Sequence, residues 1–453
     1  MAIPWTVLAG RTAAGWVSGD GARFRFGEAA TNLRTGHASV RLEFGMDAIA
    51  LTRTLLIVCL FGLGPITTDL YLPALPLIGR ELGGSVADVQ LTLSIYLFGF
   101  AAAQLVLGPL SDRLGRKPVL LAGLFVYLLG SLGCMLAPNI SLLVLARLVQ
   151  AVGACSGPVV GRAMIRDLYA PPDMARILAY VSSAMAIAPM LGPVIGGWLT
   201  VWFGWRANFA ALLSIALVLA ACAWRWLPES NAHRDPLATS PARIVGNFRT
   251  LFADRVFVGY SLCFGAAYGA LFSFISGSSF VFIEIYRVPP QWYGASFALA
   301  VLGYIFGALM SGRLASRAPA DAMIRVGGAL GAAAALAMLP LAALGGAWAV
   351  LLAAFVCMVG IGLVMPTSSG AALVNYPRMA GSASALVGCT QMTLAASVGL
   401  ALGHAYNQSP APMALAMFAC HLLVLASHRL LVGRAGGMPA SPRVDNQSGS
   451  QSS

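Results

Sequence analysis

Two ionisable residues stand where a bilayer-spanning sequence has no need of charge. Asp69 lies near the end of Leu55-Leu-Ile-Val-Cys-Leu-Phe-Gly-Leu-Gly-Pro-Ile-Thr-Thr-Asp69-Leu-Tyr-Leu-Pro73. A carboxylate at membrane depth costs about 2.5–3.5 kcal/mol on insertion scales, so it marks a proton or substrate site facing a cavity or a partner. The plainer reading is a carboxylate hydrogen-bonded between packed helices. Arg147 lies in Leu145-Ala-Arg-Leu-Val-Gln150-Ala-Val-Gly153. A buried cation needs a partner, here Asp69, or backbone carbonyls and a hydroxyl on the first span. Its plainer reading is an arginine reaching the outer interface.

The elements that must hold these groups follow from composition. The chain has 453 residues, 58% hydrophobic and only 10% charged, and a mean hydropathy of +0.80. Soluble domains carry about 25% charged residues, so most of this length belongs in lipid. Spans of about 20 apolar residues without strand-like alternation indicate helices rather than a β-barrel. Apolar runs fall at 54–76, 89–110, 118–137, 140–164, 177–200, 206–226, 256–278, 292–311, 323–344, 348–369, 382–403 and 412–432. The expectation is an all-α polytopic membrane protein of twelve helices.

A polar break separates six spans from six, giving halves at 51–227 and 256–432 with a linker at 228–255 that carries Arg234, Arg243 and Arg249. The Ser-x-Arg-Leu of Ser111–Leu114 returns as Ser311–Leu314, as parallel six-helix repeats would have it. Residues 1–50 are read as a leader that is disordered or not native, with Met46 the natural start, and 433–453 as a disordered cytoplasmic tail. The net charge of +12 has the sign that nucleic acid attracts, but the basic residues fall in short loops, as orientation signals do. Arg113, Arg116, Lys117, Arg166, Arg176, Arg313, Arg317, Arg325, Arg378, Arg429 and Arg434 share one side. Only Arg80, Arg206 and Arg287 lie on the other, offset by Glu81, Asp88 and Glu284. Both termini are therefore expected in the cytoplasm. Eight scattered cysteines form no CxxC or Cys/His cluster and read as small hydrophobes. No metal or cofactor is expected. With no P-loop, GxSxG or HExxH, an enzyme is not expected either.

Gly108-Pro-Leu-Ser-Asp112-Arg113-Leu-Gly115-Arg116-Lys117 has a glycine for close helix contact, a glycine for a tight turn, and an acid able to accept from a helix N-terminus. Arg116 can pair with Asp167, beside Arg166. Such a latch is expected to hold the inner ends of the two halves together. Ala188-Pro-Met-Leu-Gly192-Pro193-Val-Ile-Gly196-Gly197 supplies small residues for helix approach and a proline for a bend. These stretches resemble the signature loop and the antiporter motif of the major facilitator superfamily. Arg147 with Gln150 resembles that of its proton-coupled drug exporters. Gly64-Pro-Ile-Thr-Thr-Asp69-Leu-Tyr-Leu-Pro-Ala-Leu-Pro76, Arg166-Asp-Leu-Tyr169 and Ser273–Glu284 resemble its Bcr/CflA branch.

The resemblance spans roughly residues 50–432. It implies export of varied drug-like molecules from the bacterial inner membrane by a monomer, driven by protons, with no nucleic-acid partner. Asp69 and Arg147 are the expected coupling pair. An apolar, aromatic drug pocket between the halves is expected to draw on Tyr71, Tyr96, Gln150, Tyr268, Phe272, Tyr304, Met365 and Gln391. The alternative on the same scaffold is a proton-coupled importer or a metabolite exporter. A non-transporting receptor would need neither Asp69 nor Arg147.

Overall fold

The computed structural model describes residues 48–433 apart from 233, 377 and 378. The proposed leader up to residue 47, the tail from 434, and Arg378 and Arg434 lie outside the described residues, as does the Arg243 side chain. The described residues are helical, with no strand among them.

Helix α1 (Ala48–Asp69) carries Pro65 in its interior and stops at Asp69. A single 3₁₀ turn, Leu72–Ala74, with Pro73 in it, leads into α2 (Leu75–Leu82). Proline lacks the amide that continues a helix, so the first span is broken just past its acid. Helix α3 (Val86–Leu114) begins with a reciprocal capping box. Asp88 N donates to Ser85 Oγ at 3.2 Å and Ser85 N to Asp88 Oδ2 at 2.9 Å. Then follow α4 (Arg116–Leu136), α5 (Ile140–Ala154), α6 (Ser156–Leu168), α7 (Pro171–Phe203) and α8 (Arg206–Trp226). Helices α5 and α6 together make the fourth span, Ile140–Leu168.

The linker, read as a polar break, holds a helix of its own, α9 (Pro241–Ala253). The second half comprises α10 (Arg255–Ser279), α11 (Pro290–Leu314), α12 (Ala320–Leu373), α13 (Ala380–Ala405) and α14 (Ala411–Ser427). Helix α12 runs for 54 residues. At about 1.5 Å per residue that is more than twice a hydrocarbon core. Gly346, at φ +62° and ψ −150°, breaks it where the sequence put a loop between two spans. Among the described residues eleven helical segments are long and apolar enough to cross a membrane, and the break at Gly346 divides the longest into two, in keeping with the twelve expected.

Large apolar side chains such as Phe125, Trp202, Leu302 and Trp348 face outward from these helices. Exposure on that scale suits lipid rather than water. Between the halves several of the closest approaches fall at glycines. A Cβ at Gly403 would meet Gln90, at Gly399 Ser94 and Phe272, at Gly388 Gln104, and at Gly294 Val194. Helix α3 therefore lies closely on α13, and α7 on α11.

Candidate functional site

Asp69 is 2% exposed, and Thr68 Oγ1 donates to its Oδ1 at 3.1 Å. The absent side chain of Gly192 makes room for it, because a Cβ there would stand 2.9 Å from that of Asp69. The next residues of α7, Pro193 and Val194, lie against Gly294 of α11. Tyr268 and Tyr293 of the second half stand within electrostatic range of the carboxylate. Tyr293 shares a hydrogen bond of 2.8 Å with Ser278. The acid is thus enclosed at the meeting of the halves, facing neither lipid nor bulk water.

Arg147 is fully buried, but among the described residues no ion pair joins it to Asp69. Nη1 donates to Gln150 Oε1 at 2.6 Å and to the Thr67 carbonyl at 3.4 Å, and Nε to the Thr92 carbonyl at 3.4 Å. The guanidinium lies between two rings, 4.5 Å from the centroid of Tyr71 and 4.3 Å from that of Tyr96. Of the partners expected for it, the helix-one carbonyl is present and the carboxylate is not. The reason is helical. Positions 67 and 69 are about 200° apart around α1, so the cation grips one face while the acid occupies the other.

The cavity lies nearer the α3–α4 loop and measures about 610 Å³. Arg116, itself buried, closes one side of it, donating to Asp112 at 2.5 Å, Asp167 at 3.0 Å and Ser111 Oγ at 2.8 Å. Arg166 leans on Asp167 at 3.8 Å. The expected Arg116–Asp167 pair therefore exists, but α3, α4 and α6 all belong to the first half, so it cannot latch the halves together. Across the seam here Arg162 Nη1 donates to Ser384 Oγ at 3.0 Å, and Asn247 of the linker helix α9 donates to Ser382 Oγ of the second half at 3.2 Å.

The helix N-terminus expected to bond Asp112 bonds Glu229 instead, which accepts from the amides of Arg116 at 2.9 Å and Lys117 at 3.3 Å. Gly115 permits this with φ +108° and with no Cβ to strike that carboxylate. Lys117 Nζ bonds the Trp224 carbonyl at 2.8 Å, and Arg113 bonds Thr239 at 2.9 Å. The signature loop thus ties the first half to the linker.

Desolvation pushes the Glu229 carboxyl up, but backbone amides of Asn231, Arg116, Lys117 and Ser230 outweigh it and hold it below the usual range. A depressed carboxylate stabilises the fold above its unfolded value, and that contribution fades as pH falls through the folded one. Glu229 is solvent-exposed, so Glu229→Gln is expected to cost only about 0.5–1 kcal/mol at neutral pH. Melting curves of the detergent-solubilised protein check this. The gap from wild type is expected to narrow as pH falls below the usual glutamate range, and a gap independent of pH rejects the capping role.

None of the eight expected drug-contacting residues lines this cavity. Tyr71, Tyr96 and Gln150 are the shell of Arg147 instead. Aromatic and amide groups serve a buried guanidinium as well as a ligand, so residue type alone does not separate the two. Phe272 is buried against Gly399, and Met365 is buried on α12. Tyr268 is in electrostatic range of both Asp69 and Tyr304, and the backbone of Gln391 abuts Gly265. The lining passed over in the sequence includes Gln104 and Arg162. Both are polar residues inside apolar runs, the same signal that singled out Asp69.

Twelve crossings in two packed halves, a carboxylate at their meeting and a cavity open toward one end define a secondary transporter rather than an enzyme. The chain belongs to the Major Facilitator Superfamily, which matches residues 57–400. It is 33% identical over 79% of its length to an uncharacterized MFS-type transporter, YdgK, of Bacillus subtilis, 89% of which is covered. It is 27% identical to a bicyclomycin resistance protein homolog of Haemophilus influenzae, over 82% of this chain and 94% of that one. It is 31% identical to a chloramphenicol resistance protein of Pseudomonas aeruginosa, over 77% and 83%. In fold it is similar to the xylose transporter XylE of E. coli in a partially occluded inward-open conformation. That likeness has a TM-score of 0.67 at 12% identity and covers 86% of this chain and 99% of that one.

Proposed function

We propose that this chain exports drug-like small molecules across the bacterial inner membrane in exchange for protons, by alternating access of the halves 51–227 and 256–432. The observation that carries the reading is the place of Asp69, wedged by α7 where α7 also meets α11. Rocking of the halves must change what surrounds that carboxyl, and with it the side from which it takes or loses a proton. Resistance to bicyclomycin and chloramphenicol among the relatives supports drugs as the cargo.

The arginine bias supports a cytoplasmic side for the cavity end and both termini. At the other end Arg80 meets Glu284 at 3.5 Å and Gln90 Nε2 donates to the Ser276 carbonyl at 2.7 Å, so access there is shut. These contacts, with the cavity at the opposite end, support reading the conformation as open inward. Asp69 carries the proton. Arg147 positions α1 by its hold on Thr67, and the Arg116 clamp stiffens the inner end of the first half. Tyr268, in electrostatic range of both Asp69 and Tyr304, stands beside the acid on the second half. A membrane potential adds about 2.3 kcal/mol per 100 mV for each charge moved inward.

The test is a susceptibility panel in a bacterial host stripped of its own efflux pumps. Cells carrying the wild-type chain are expected to tolerate severalfold more chloramphenicol or bicyclomycin than cells with an empty vector, and a protonophore is expected to cancel the gain. Protonophore-resistant protection, or none against any drug in the panel, overturns the reading.

A further inference from the structure

One cation of the cavity lining has no ion-pair partner among the described residues, although Asp112 and Asp235 also line the cavity. Gly161 lies against Phe61 and Ile57 of α1, which fixes the face that α6 turns to its neighbours. Arg162, the next residue, lines the cavity. Its guanidinium spends one donor on Ser384, and its Cζ lies 6.0 Å from the centroid of the Phe61 ring. Among the described residues no carboxylate lies within ion-pair reach of it. Arg116 and Arg166, the other arginines of the lining, both meet Asp167. A guanidinium presents five donors in a planar fork suited to oxyanions, so several here remain for a ligand.

A second group faces the same space. Gln104 of α3 is 9% exposed and lines the cavity, and its Oε1 has no hydrogen-bond partner. A buried amide oxygen left unpaired costs about 1–3 kcal/mol, so it calls for a donor. Gln104 lies where Gly388 leaves room, one helical turn along α13 from Ser384, the residue that Arg162 bonds. A donor fork and an orphan acceptor are thereby brought to one stretch of a cavity whose size suits a drug-sized molecule. Much of the remaining wall, including Leu105, Val159, Leu178 and Phe248, is apolar.

We propose that Arg162 and Gln104 form a substrate subsite for small amphiphiles that carry an oxyanion or strongly polarised oxygen beside an N–H or O–H donor, and that it favours these over permanent cations. The inference rests on the export reading above and narrows its substrate class. Arg162 takes the oxygen, Gln104 Oε1 takes the donor, and the apolar wall takes the hydrocarbon part.

The test uses the full-length protein in proteoliposomes with a proton gradient. The probes are sulfamethoxazole, an anion at pH 7.5, and tetraphenylphosphonium. The readout is the ratio of their half-saturation concentrations, sulfonamide over cation. Arg162→Gln is expected to raise that ratio about tenfold, the equivalent of about 1.4 kcal/mol. Gln104→Glu, which sets a carboxylate in the space facing Arg162, is expected to raise it likewise. If Arg162→Gln fails to fold, Gln104→Glu carries the test on the same ratio. An unchanged ratio in a folded variant overturns the subsite. Wild-type transport of the cation alone does so too, and leaves the export reading standing. Transport of neither probe by the wild type overturns the subsite, and the export reading is then decided by the susceptibility panel alone.

Discussion

Asp69→Asn is expected to leave the chain folded and to abolish uphill, proton-driven transport. The substitution keeps the size of the side chain and an oxygen able to accept from Thr68. It removes no ion pair, because among the described residues none reaches Asp69. The melting temperature is therefore expected to stay near that of the wild type. What Asn cannot do is take up a proton. A one-unit pH gradient is worth about 1.4 kcal/mol per proton, a tenfold accumulation for each proton exchanged. That factor is expected to vanish in proteoliposomes, while drug exchange down its own gradient persists. In the susceptibility panel the variant is expected to protect no better than empty vector. A folded variant that still accumulates drug in a protonophore-sensitive way removes Asp69 from the coupling step.

That experiment turns on a residue visible from the sequence alone, and the reason is physical. The cost of burying charge in lipid leaves few ionisable groups in the spans, so each one stands out. The same rule pointed at Arg147, and its contact with Thr67 is the helix-one carbonyl anticipated for it. Span number was legible for a related reason: twenty apolar residues can be counted. Partners were harder. Whether Arg147 faced Asp69 depended on rotation about α1, which hydropathy does not encode.

The clamp shows a different limit. Arg116 and Asp167 were legible as a pair, but Glu229 was not. It lies 113 residues from the amide that it caps, and only the folded chain brings them together. The drug-contacting candidates show a third. Tyr71 and Tyr96 are aromatic residues near polar ones, and a pocket and a buried cation site have the same composition. Gln104 and Arg162 are polar residues inside apolar spans like Asp69, but a cavity that gathers them from α3 and α6 exists only in the folded chain.

Alanine at the two adjacent glycines of α7 is expected to produce opposite kinds of defect, and the pair tests how the halves move. A Cβ on Gly196 would fall well inside contact with the carbonyl oxygen of Leu70, next to Asp69. Helices α1 and α7 both belong to the first half and have no reason to part during transport. Gly196→Ala therefore strains every state alike and is expected to cost about 1–3 kcal/mol as overpacking, seen as a lower melting temperature with transport impaired. A Cβ on Gly197 would instead strike the Pro290 carbonyl of α11, across the seam. That contact exists only while the outer end is shut. Gly197→Ala is expected to destabilise this closed state against the one open outward, and a shift of about 1.4 kcal/mol moves the ratio of states tenfold.

The measurement is the distance between spin labels on cysteines replacing Arg80 and Glu284, which flank the shut end. Gly197→Ala is expected to add a long-distance population and Gly196→Ala to leave the distribution near wild type. Gly62, with nothing near its absent side chain, is the control, and Gly62→Ala is expected to change neither readout. Equal distributions for Gly197→Ala and wild type would mean that α7 and α11 do not separate at this level, and the alternating-access geometry drawn from their contact would have to be placed elsewhere.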